Sequence, residues 1–269
     1  ALAIADMGFP VTLAERSDHL GGVLLDVPRL HTGQSGKEIA EEFTKRVTSN
    51  KLISVVTDAV LEDVSGSVGN FKARLNDEEI QFGAAVIATG GSPLDPEGYF
   101  HHSTSDKIIT QAELEKRLDD TDAKNVVMIQ CVGSRENTPP RTYCSRICCI
   151  QAVKNAISLK ERSPKTNVFV LFRDIQTYGL WEPLYTEART KGVLFVRYSA
   201  DSEPEVTEDG TVDVYDHFLG KTLRIKADLV VLSTPIVPNK TEDLSQAFKV
   251  PVGPDGFYLE AHAKLRPVD

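Results

Sequence analysis

The sequence predicts an α/β protein of two lobes, each built around a parallel sheet. Three observations carry this. Residues 125–198 read strand–helix–strand–helix–strand, the order that gives parallel strands with helical crossovers. VTLAE (11–15) and AAVIATG (84–90) are short apolar runs of the kind that form buried strands. The glycine- and proline-rich stretch GGSPLDPEGYFHHST (90–104) separates the two patterns as a linker.

Bulk composition narrows the function classes. The chain has 269 residues, enough for one large or two medium domains. Thirty basic against 39 acidic residues leave a net charge of -9, which repels nucleic acid and anionic membrane in the average field. No apolar run approaches the roughly 20 residues that span a bilayer. No basic start followed by an apolar stretch marks a secretory signal. Four cysteines make no disulfide scaffold at this length; they point to a reducing, cytoplasmic compartment where clustered thiols serve as metal ligands or redox groups.

The elements follow in chain order. Ala1–Met7 is apolar-rich with no N-cap, so it reads as mid-helix, closed by Gly8. A βαβ unit would need a strand before Ala1, so the chain reads as cut. VTLAE is a strand. KEIAEEFTKRVTS (37–49) is a helix with Ile39, Phe43 and Val47 on one stripe. LISVVTDAVLEDVSG (52–66) is extended, FKARL (71–75) alternates, and AAVIATG is a strand leaving into Thr-Gly. In the second pattern QAELEKRLDD (111–120) is a polar helix and NVVMIQ (125–130) a buried strand. SRICCIQAVKNAISLKER (145–162) is helical through Ile150, Val153 and Ile157, and NVFVLF (167–172) is a strand. EPLYTEARTKG (182–192) is a helix with a glycine stop, and VLFVRY (193–198) a strand. TVDVYDHFLGKTLRIKADLVVLST (211–234) supplies a hairpin and a further buried strand. The expected division is 1–95 with 240–269 as one lobe and 105–238 as a second, inserted lobe.

Three short features of the first lobe lie in a telling order. Glu15, followed by Arg16, closes a buried strand, where an acid in dinucleotide-binding folds bonds the adenosine ribose hydroxyls. Acids also follow strands without any ligand. Gly21 and Gly22 of HLGG let backbone approach a phosphate, or form a plain turn. Ala88, Thr89 and Gly90 end the third piece. Together they resemble the two-dinucleotide-binding flavoproteins of the pyridine nucleotide-disulfide reductase type, whose two lobes are Rossmann-like FAD- and NAD(P)-binding folds. The resemblance implies that FAD is bordered by Glu15, Arg16, Gly21, Gly22, Ala88, Thr89 and Gly90. It also places the G-x-G-x-x-G loop before Ala1 and the closing strand after Asp269. The flavin lobe therefore reads as truncated at both ends, with FAD retention by this chain alone an open question.

The second lobe should hold NAD(P)H with a glycine-rich loop between NVVMIQ and the next helix. Instead CVGSRENTPPRTYC stands there with one glycine, Gly133, too few to admit a pyrophosphate to the backbone amides. The nicotinamide site is expected to be lost. All four cysteines, Cys131, Cys144, Cys148 and Cys149, fall in this place. Cys131 ends a strand, Cys144 ends the loop, and Cys148 and Cys149 sit on the first helical turns, so the thiolates could converge on one centre. Four readings compete. The thiols could be small buried hydrophobes. They could bind a structural zinc, although zinc favours C-x2-C pairs. They could form a redox disulfide, although no C-x-x-C is present. They could ligate a four-iron, four-sulfur cluster, whose larger body lets adjacent cysteines serve two irons.

QCVGSRE…YCSRICCIQAVKNA resembles the non-standard cluster motif of the flavin-containing A subunits of heterodisulfide reductases and of related A subunits of quinone-interacting oxidoreductase complexes. DLVVLSTPIVPN (228–239) and DGFYLEAHAKLRPVD (255–269) extend the likeness over nearly the whole chain. The resemblance implies that Cys131, Cys144, Cys148 and Cys149 ligate a [4Fe-4S] cluster near FAD. It implies a cytoplasmic electron-transfer component working with other reductase subunits and with ferredoxin, hydrogenase or dehydrogenase partners, and open to homo-oligomerisation. No catalytic residue is assigned, because the disulfide chemistry belongs to a partner subunit. The rival readings are a zinc- or thiol-containing docking module and an NAD(P)H-dependent flavin disulfide reductase. Arg135 and Arg146 flank the cysteines as surface charges or as groups that offset cluster charge. Tyr143 and Trp181 read as core, and His101 and His102 as exposed linker residues.

Overall fold

The computed structural model describes residues 1–260. The chain divides into two compact units, one of Ala1–Gly91 with the segment from Pro238, the other of Ser92–Val237.

In the first unit, α1 (Leu2–Asp6) leads through Gly8 to β1 (Val11–Ala14), and α2 (Gly36–Thr48) leads to β2 (Ile53–Val56). The strands β1 and β2 pair in parallel, Val11 opposite Ile53 and Ala14 opposite Val56. Ala5, Val47 and Ile53 form their small core with Leu2, Val11, Leu13 and Leu20. Ser35 caps α2 by accepting from the Glu38 amide at 3.3 Å. The buried stripe of α2 runs through Gly36, Ala40 and Val47. Phe43, expected on that stripe, is 48% exposed and lies 5.1 Å under the Arg46 guanidinium. The long run 52–66 breaks at Asp58, whose φ is 48°, into β2 and β3 (Leu61–Ser67). The strands β3, β4 (Asn70–Leu75) and β5 (Glu78–Phe82) make an antiparallel meander. Phe71 and Phe82 stack across it at 5.4 Å.

AAVIATG does not form the expected strand. Residues 84–90 pair with no described strand, and Val86 is 75% exposed. An apolar run becomes a strand only when a neighbour takes its amides and carbonyls. The glycine- and proline-rich stretch holds the three-residue β6 (Gly91–Pro93) and a series of turns.

The second unit opens with β7 (Ile108–Thr110), α3 (Gln111–Lys116) and β8 (Asn125–Ile129). It continues through α4 (Cys148–Arg162), β9 (Asn167–Phe172), α5 (Glu182–Thr190) and β10 (Leu194–Arg197). An antiparallel sheet of β11 (Glu205–Val206), β12 (Thr211–Asp216) and β13 (Lys221–Lys226) precedes β14 (Leu229–Leu232). The chain then passes β15 (Ile236–Pro238), which pairs with β6, and α6 (Glu242–Phe248), whose Phe248 meets Phe71 edge-on at 5.7 Å.

The order β10-β9-β8-β14-β7 gives a five-stranded sheet, parallel throughout. From β8 the chain first builds β9 and β10 to one side; β14 then returns to the other side. The strand order therefore reverses between β8 and β14, the switch point where open α/β sheets leave a crevice at the carboxyl ends of the strands. The apolarity of NVVMI follows from its burial on both faces. Val126 and Met128 pack with Ala152, Val153 and Ala156 of α4. Val127 and Ile129 face the other way, toward Val212 and Val214 of the antiparallel sheet.

Candidate functional site at the carboxyl edge of the second sheet

The cysteine loop leaves β8 at its carboxyl end. Four residues in it have left-handed backbone: Cys131 (φ 65°), Gly133 (φ 71°), Arg135 (φ 56°) and Arg146 (φ 62°). Only Gly133 is spared the Cβ penalty of that region, so the loop is held by specific contacts. Arg173, just after β9, donates to the carbonyl oxygens of Ser134 and Arg135 at 2.8 and 3.1 Å. Within the loop, the Arg135 amide donates to Tyr143 O at 3.1 Å and the Glu136 amide to Arg141 O at 2.9 Å. The Tyr143 hydroxyl donates to Ile236 O at 2.8 Å, and the Ile236 amide donates to the Ser145 hydroxyl at 2.9 Å. The helix predicted from Ser145 therefore begins only at Cys148: Arg146 is left-handed and Ser145 is tied to β15.

The thiols spread along one edge. Cys131 lies two residues past the end of β8 and is half-buried. Cys148 is buried and donates from Sγ to the carbonyl oxygen of Thr234, past the end of β14, at 3.2 Å. Cys149 is buried and donates to the carbonyl oxygen of Asp174, past the end of β9, at 3.7 Å. Cys144 is half-buried, its sulfur 3.4 Å from the Arg146 amide. Thiols thus mark the carboxyl ends of three adjacent strands, β9, β8 and β14. None is in a disulfide.

Their electrostatics follow from this placement. Burial pushes the Cys148 thiol up to about 12, and its neighbours Cys149, Cys131 and Cys144 add to the effect. Burial likewise raises Cys149 to about 11, opposed by a hydrogen bond from Gln176 and by the Arg135 charge. Both thiols are therefore held neutral, and a positive centre is what would favour their thiolates. Among the described residues no group of three or more Cys, His, Asp or Glu side chains is placed to hold a metal ion.

Arg135, one of the two arginines expected at the surface, is partly buried and paired to Asp174 at 2.9 Å; Arg146 is exposed. His102 pairs with Glu113 at 3.3 Å and His101 with Glu208 at 3.6 Å, so the two histidines face different partners. Trp181 is half-buried beside Tyr178, ring centroids 6.1 Å apart. Sequence reasoning missed Arg173 and Asp174. The signal was their place directly after a central parallel strand, where ligand-facing residues collect.

In the first unit the expected flavin residues are placed as follows. Glu15 follows β1, half-buried, with its carboxylate accepting from the Ser17 amide at 2.8 Å. Arg16 beside it is exposed. Gly21 and Gly22 both have positive φ, 121° and 51°, and a Cβ at Gly21 would meet Leu25 at 2.9 Å. Ala88, Thr89 and Gly90 are exposed, and the Thr89 carbonyl accepts from the Asn239 side chain at 2.7 Å.

A parallel five-stranded sheet covered by helices on one face and by an antiparallel sheet on the other, with a smaller α/β arrangement in the first unit, defines the class: a Rossmann-like fold of the thioredoxin-reductase type. Solved structures agree. The thioredoxin reductase of T. acidophilum matches with a TM-score of 0.61 at 16% identity, covering 100% of this chain and 82% of that one. That of Lactococcus lactis matches with a TM-score of 0.62 at 12% identity, covering 99% of this chain and 82% of that one. No family model matches.

Sequence relatives are more particular: the chain is homologous to a segment of the A subunits of heterodisulfide reductases. It is 35% identical over 216 residues to the A subunit of the H(2):CoB-CoM heterodisulfide,ferredoxin reductase of Methanothermobacter marburgensis, covering 71% of this chain and 32% of that protein. It is 34% identical over 212 residues to the iron-sulfur A subunit of the CoB--CoM heterodisulfide reductase of Methanocaldococcus jannaschii, with the same coverage of 71% and 32%. It is 36% identical over 214 residues to the A subunit of the ferredoxin/F(420)H(2)-dependent CoB-CoM heterodisulfide reductase of Methanosarcina acetivorans, covering 71% of this chain and 27% of that protein. The chain thus spans about a third of the length of these relatives. Of the similar run 255–269, residues 261–269 lie outside the described residues. No described helix is long and apolar enough to cross a membrane.

Proposed function

We propose that this chain is an electron-transfer piece of a heterodisulfide-reductase-type complex, holding FAD in the first unit and a [4Fe-4S] cluster on the second. The observation that carries it is the set of thiols along the carboxyl ends of β9, β8 and β14, at the switch point where a nucleotide diphosphate would otherwise lie. When bound, FAD would take electrons in pairs and release them singly, and the cluster would carry one at a time.

The chain's own residues would act as follows. Cys131, Cys144, Cys148 and Cys149 would hold the cluster by their sulfurs, each on a separate iron. Cys148 and Cys149 would first give up their hydrogen bonds to Thr234 and Asp174 and lose their thiol protons. Arg135, whose charge already acts on Cys149, would offset the negative charge that results. The Glu15 carboxylate would accept the ribose hydroxyls, with Arg16 beside it. Gly21, Gly22, Ala88, Thr89 and Gly90 would leave backbone open to the phosphates and ring. Other reductase subunits, with ferredoxin or a hydrogenase or dehydrogenase component, would be the partners, in the cytoplasm. The named relatives are themselves subunits of such reductases.

The test is anaerobic purification after iron and sulfide reconstitution, read by metal analysis and the visible spectrum. About four irons per chain with a broad visible absorption supports the cluster. Iron-free protein after reconstitution sinks it, and one tightly bound zinc replaces it with the docking-module reading. FAD is read separately, by fluorescence of the released flavin.

A further inference from the structure

The loop after β9 buries a polar residue and exposes apolar ones. Among residues 173–181 only Thr177 is buried, at 1% exposed, whereas Leu180 is 95% exposed and Tyr178 53%. Burying Leu180 in its place would remove far more apolar surface from water, so packing does not account for the choice. The Thr177 hydroxyl also has no hydrogen-bond partner. Buried hydroxyls are nearly always bonded, and one that is not points to a functional role.

The loop bends around one sulfur just before it dips at Thr177. Cys149 Sγ donates to Asp174 O at 3.7 Å, and the same sulfur takes a hydrogen bond from the backbone of Gln176, the residue before Thr177. Other unpartnered buried atoms gather along this edge. They are Gln130 Oε1 directly before Cys131, Arg141 Nε three residues before Cys144, and Arg173 Nε at the start of the loop. Counting Thr177, three of these four carry an N–H or O–H with nothing to bond. A neutral thiol is a weak acceptor, and an ionised sulfur accepts strongly. These donors suit an edge of thiolates and not one of thiols.

We propose that the Thr177 hydroxyl donates to the Cys149 sulfur once that sulfur is a cluster thiolate, and that this bond raises the reduction potential there. The inference rests on the cluster assignment above and deepens it. The Cys149 thiol commits its one hydrogen to Asp174 O; once that proton is lost, the sulfur is an acceptor only. Gln176 and Thr177 then supply donors from consecutive residues. A hydrogen bond to a ligand sulfur draws negative charge away from the iron and favours the form with one more electron. Thr177 is neutral, so it moves the potential without adding to the charge of Arg135.

The experiment compares the full chain with Thr177→Val and Thr177→Ser. All three are reconstituted anaerobically with iron and sulfide, then read by metal analysis and by a spectroscopic redox titration. Thr177→Val should hold as much iron as the parent and titrate at a lower potential. At the parent's midpoint its ratio of reduced to oxidised form should fall about tenfold, which is about 59 mV for one electron. Thr177→Ser keeps the hydroxyl and should titrate with the parent. In the iron-free chain Thr177→Val should unfold at the same urea concentration or a higher one, because the shape is kept and no bond is lost. An unmoved potential in Thr177→Val at full iron overturns the inference and leaves the cluster assignment standing. So does a lowered urea midpoint in iron-free Thr177→Val, which would show that the hydroxyl already has a partner. If Thr177→Val loses iron, retention of iron by Thr177→Ser supports the bond, and equal loss in both overturns it. No iron in the parent overturns the cluster assignment and this inference together.

Discussion

Cys148 Sγ donates to the carbonyl oxygen of Thr234 across 3.2 Å, tying the first turn of α4 to the chain that leaves β14. The thiol is 8% exposed, so it sits at the edge where the crevice opens and is not deep in the core. Serine at this position keeps the hydrogen bond and removes the soft sulfur. Cys148→Ser should therefore fold with a stability change of about 1 kcal/mol or less, as for other small core-edge replacements, while losing most of the iron and visible absorption after reconstitution. Unchanged iron content would remove Cys148 from the ligand set.

Arg173 joins β9 to the cysteine loop through the Ser134 and Arg135 carbonyls. Arg173→Met keeps most of the apolar stem but strands both carbonyls. Each bond to a charged donor is worth about 1.5–3 kcal/mol, so for the two bonds urea unfolding should show a loss of roughly 3–6 kcal/mol. The same variant should bind less iron, because Cys131 sits in that loop. A loss of iron without any shift in the urea midpoint would show that Arg173 does not brace the loop.

Gly133 tests the loop from within. Its φ of 71° is left-handed, and an added Cβ would fall 2.4 Å from Leu94 Cδ2. Leu94 can swing its flexible end away, so the backbone sets the cost. Gly133→Ala should destabilise by about 1–2 kcal/mol, the penalty for a Cβ in that region. Thermal unfolding checks it; a neutral outcome would mean the loop relaxes to another conformation.

The pH dependence of stability has a clear contributor in Glu113. Burial alone would raise its pKa; the amide and hydroxyl of Thr110 and the His102 ring outweigh that and hold it below the usual carboxylate range. The folded pKa is depressed, so the stabilisation is present at neutral pH and is lost as pH falls through the acid range. Thr110 caps α3 in return, accepting from the Glu113 amide at 3.2 Å. Glu113→Gln should lower the urea midpoint at pH 7 and should flatten its fall between neutral pH and about pH 3. A parallel fall in parent and variant would show that Glu113 carries none of it.

Much of the second unit was legible because its strands are buried on both faces. NVVMI, NVFVLF and LVVL are continuous apolar runs, and α4 and α5 show regular helical spacing between them. What failed was local pattern without a neighbour. AAVIATG has strand composition but no described partner for its amides, and Phe43 follows the helical period yet packs under Arg46 in solvent. The late start of α4 was invisible because Ser145 is engaged by Ile236, far along the chain. For the site, clustering alone singled out the cysteines, whereas Arg173, Asp174 and Arg197 meet only through the order of β8, β9 and β10. No spacing along the chain encodes that meeting.

Ser233, just past β14, anchors a buried polar chain beneath the site. Its hydroxyl accepts from Gln130 Nε2 at 2.8 Å and from Gln111 Nε2 at 3.0 Å. Gln111 in turn takes the Asn155 amide at 2.8 Å, linking α3, α4, β8 and β14. All four residues are at most 2% exposed. Ser233→Ala removes one acceptor from two buried amides that water cannot reach. Each orphaned donor costs about 1–3 kcal/mol, so a total of roughly 2–6 kcal/mol should be lost in urea unfolding. Ser233→Thr keeps the acceptor and adds one methyl group, and overpacking of that size costs about 1–3 kcal/mol. The alanine variant should therefore be the less stable of the two. If threonine proves as damaging as alanine, shape and not hydrogen bonding sets the requirement at this position.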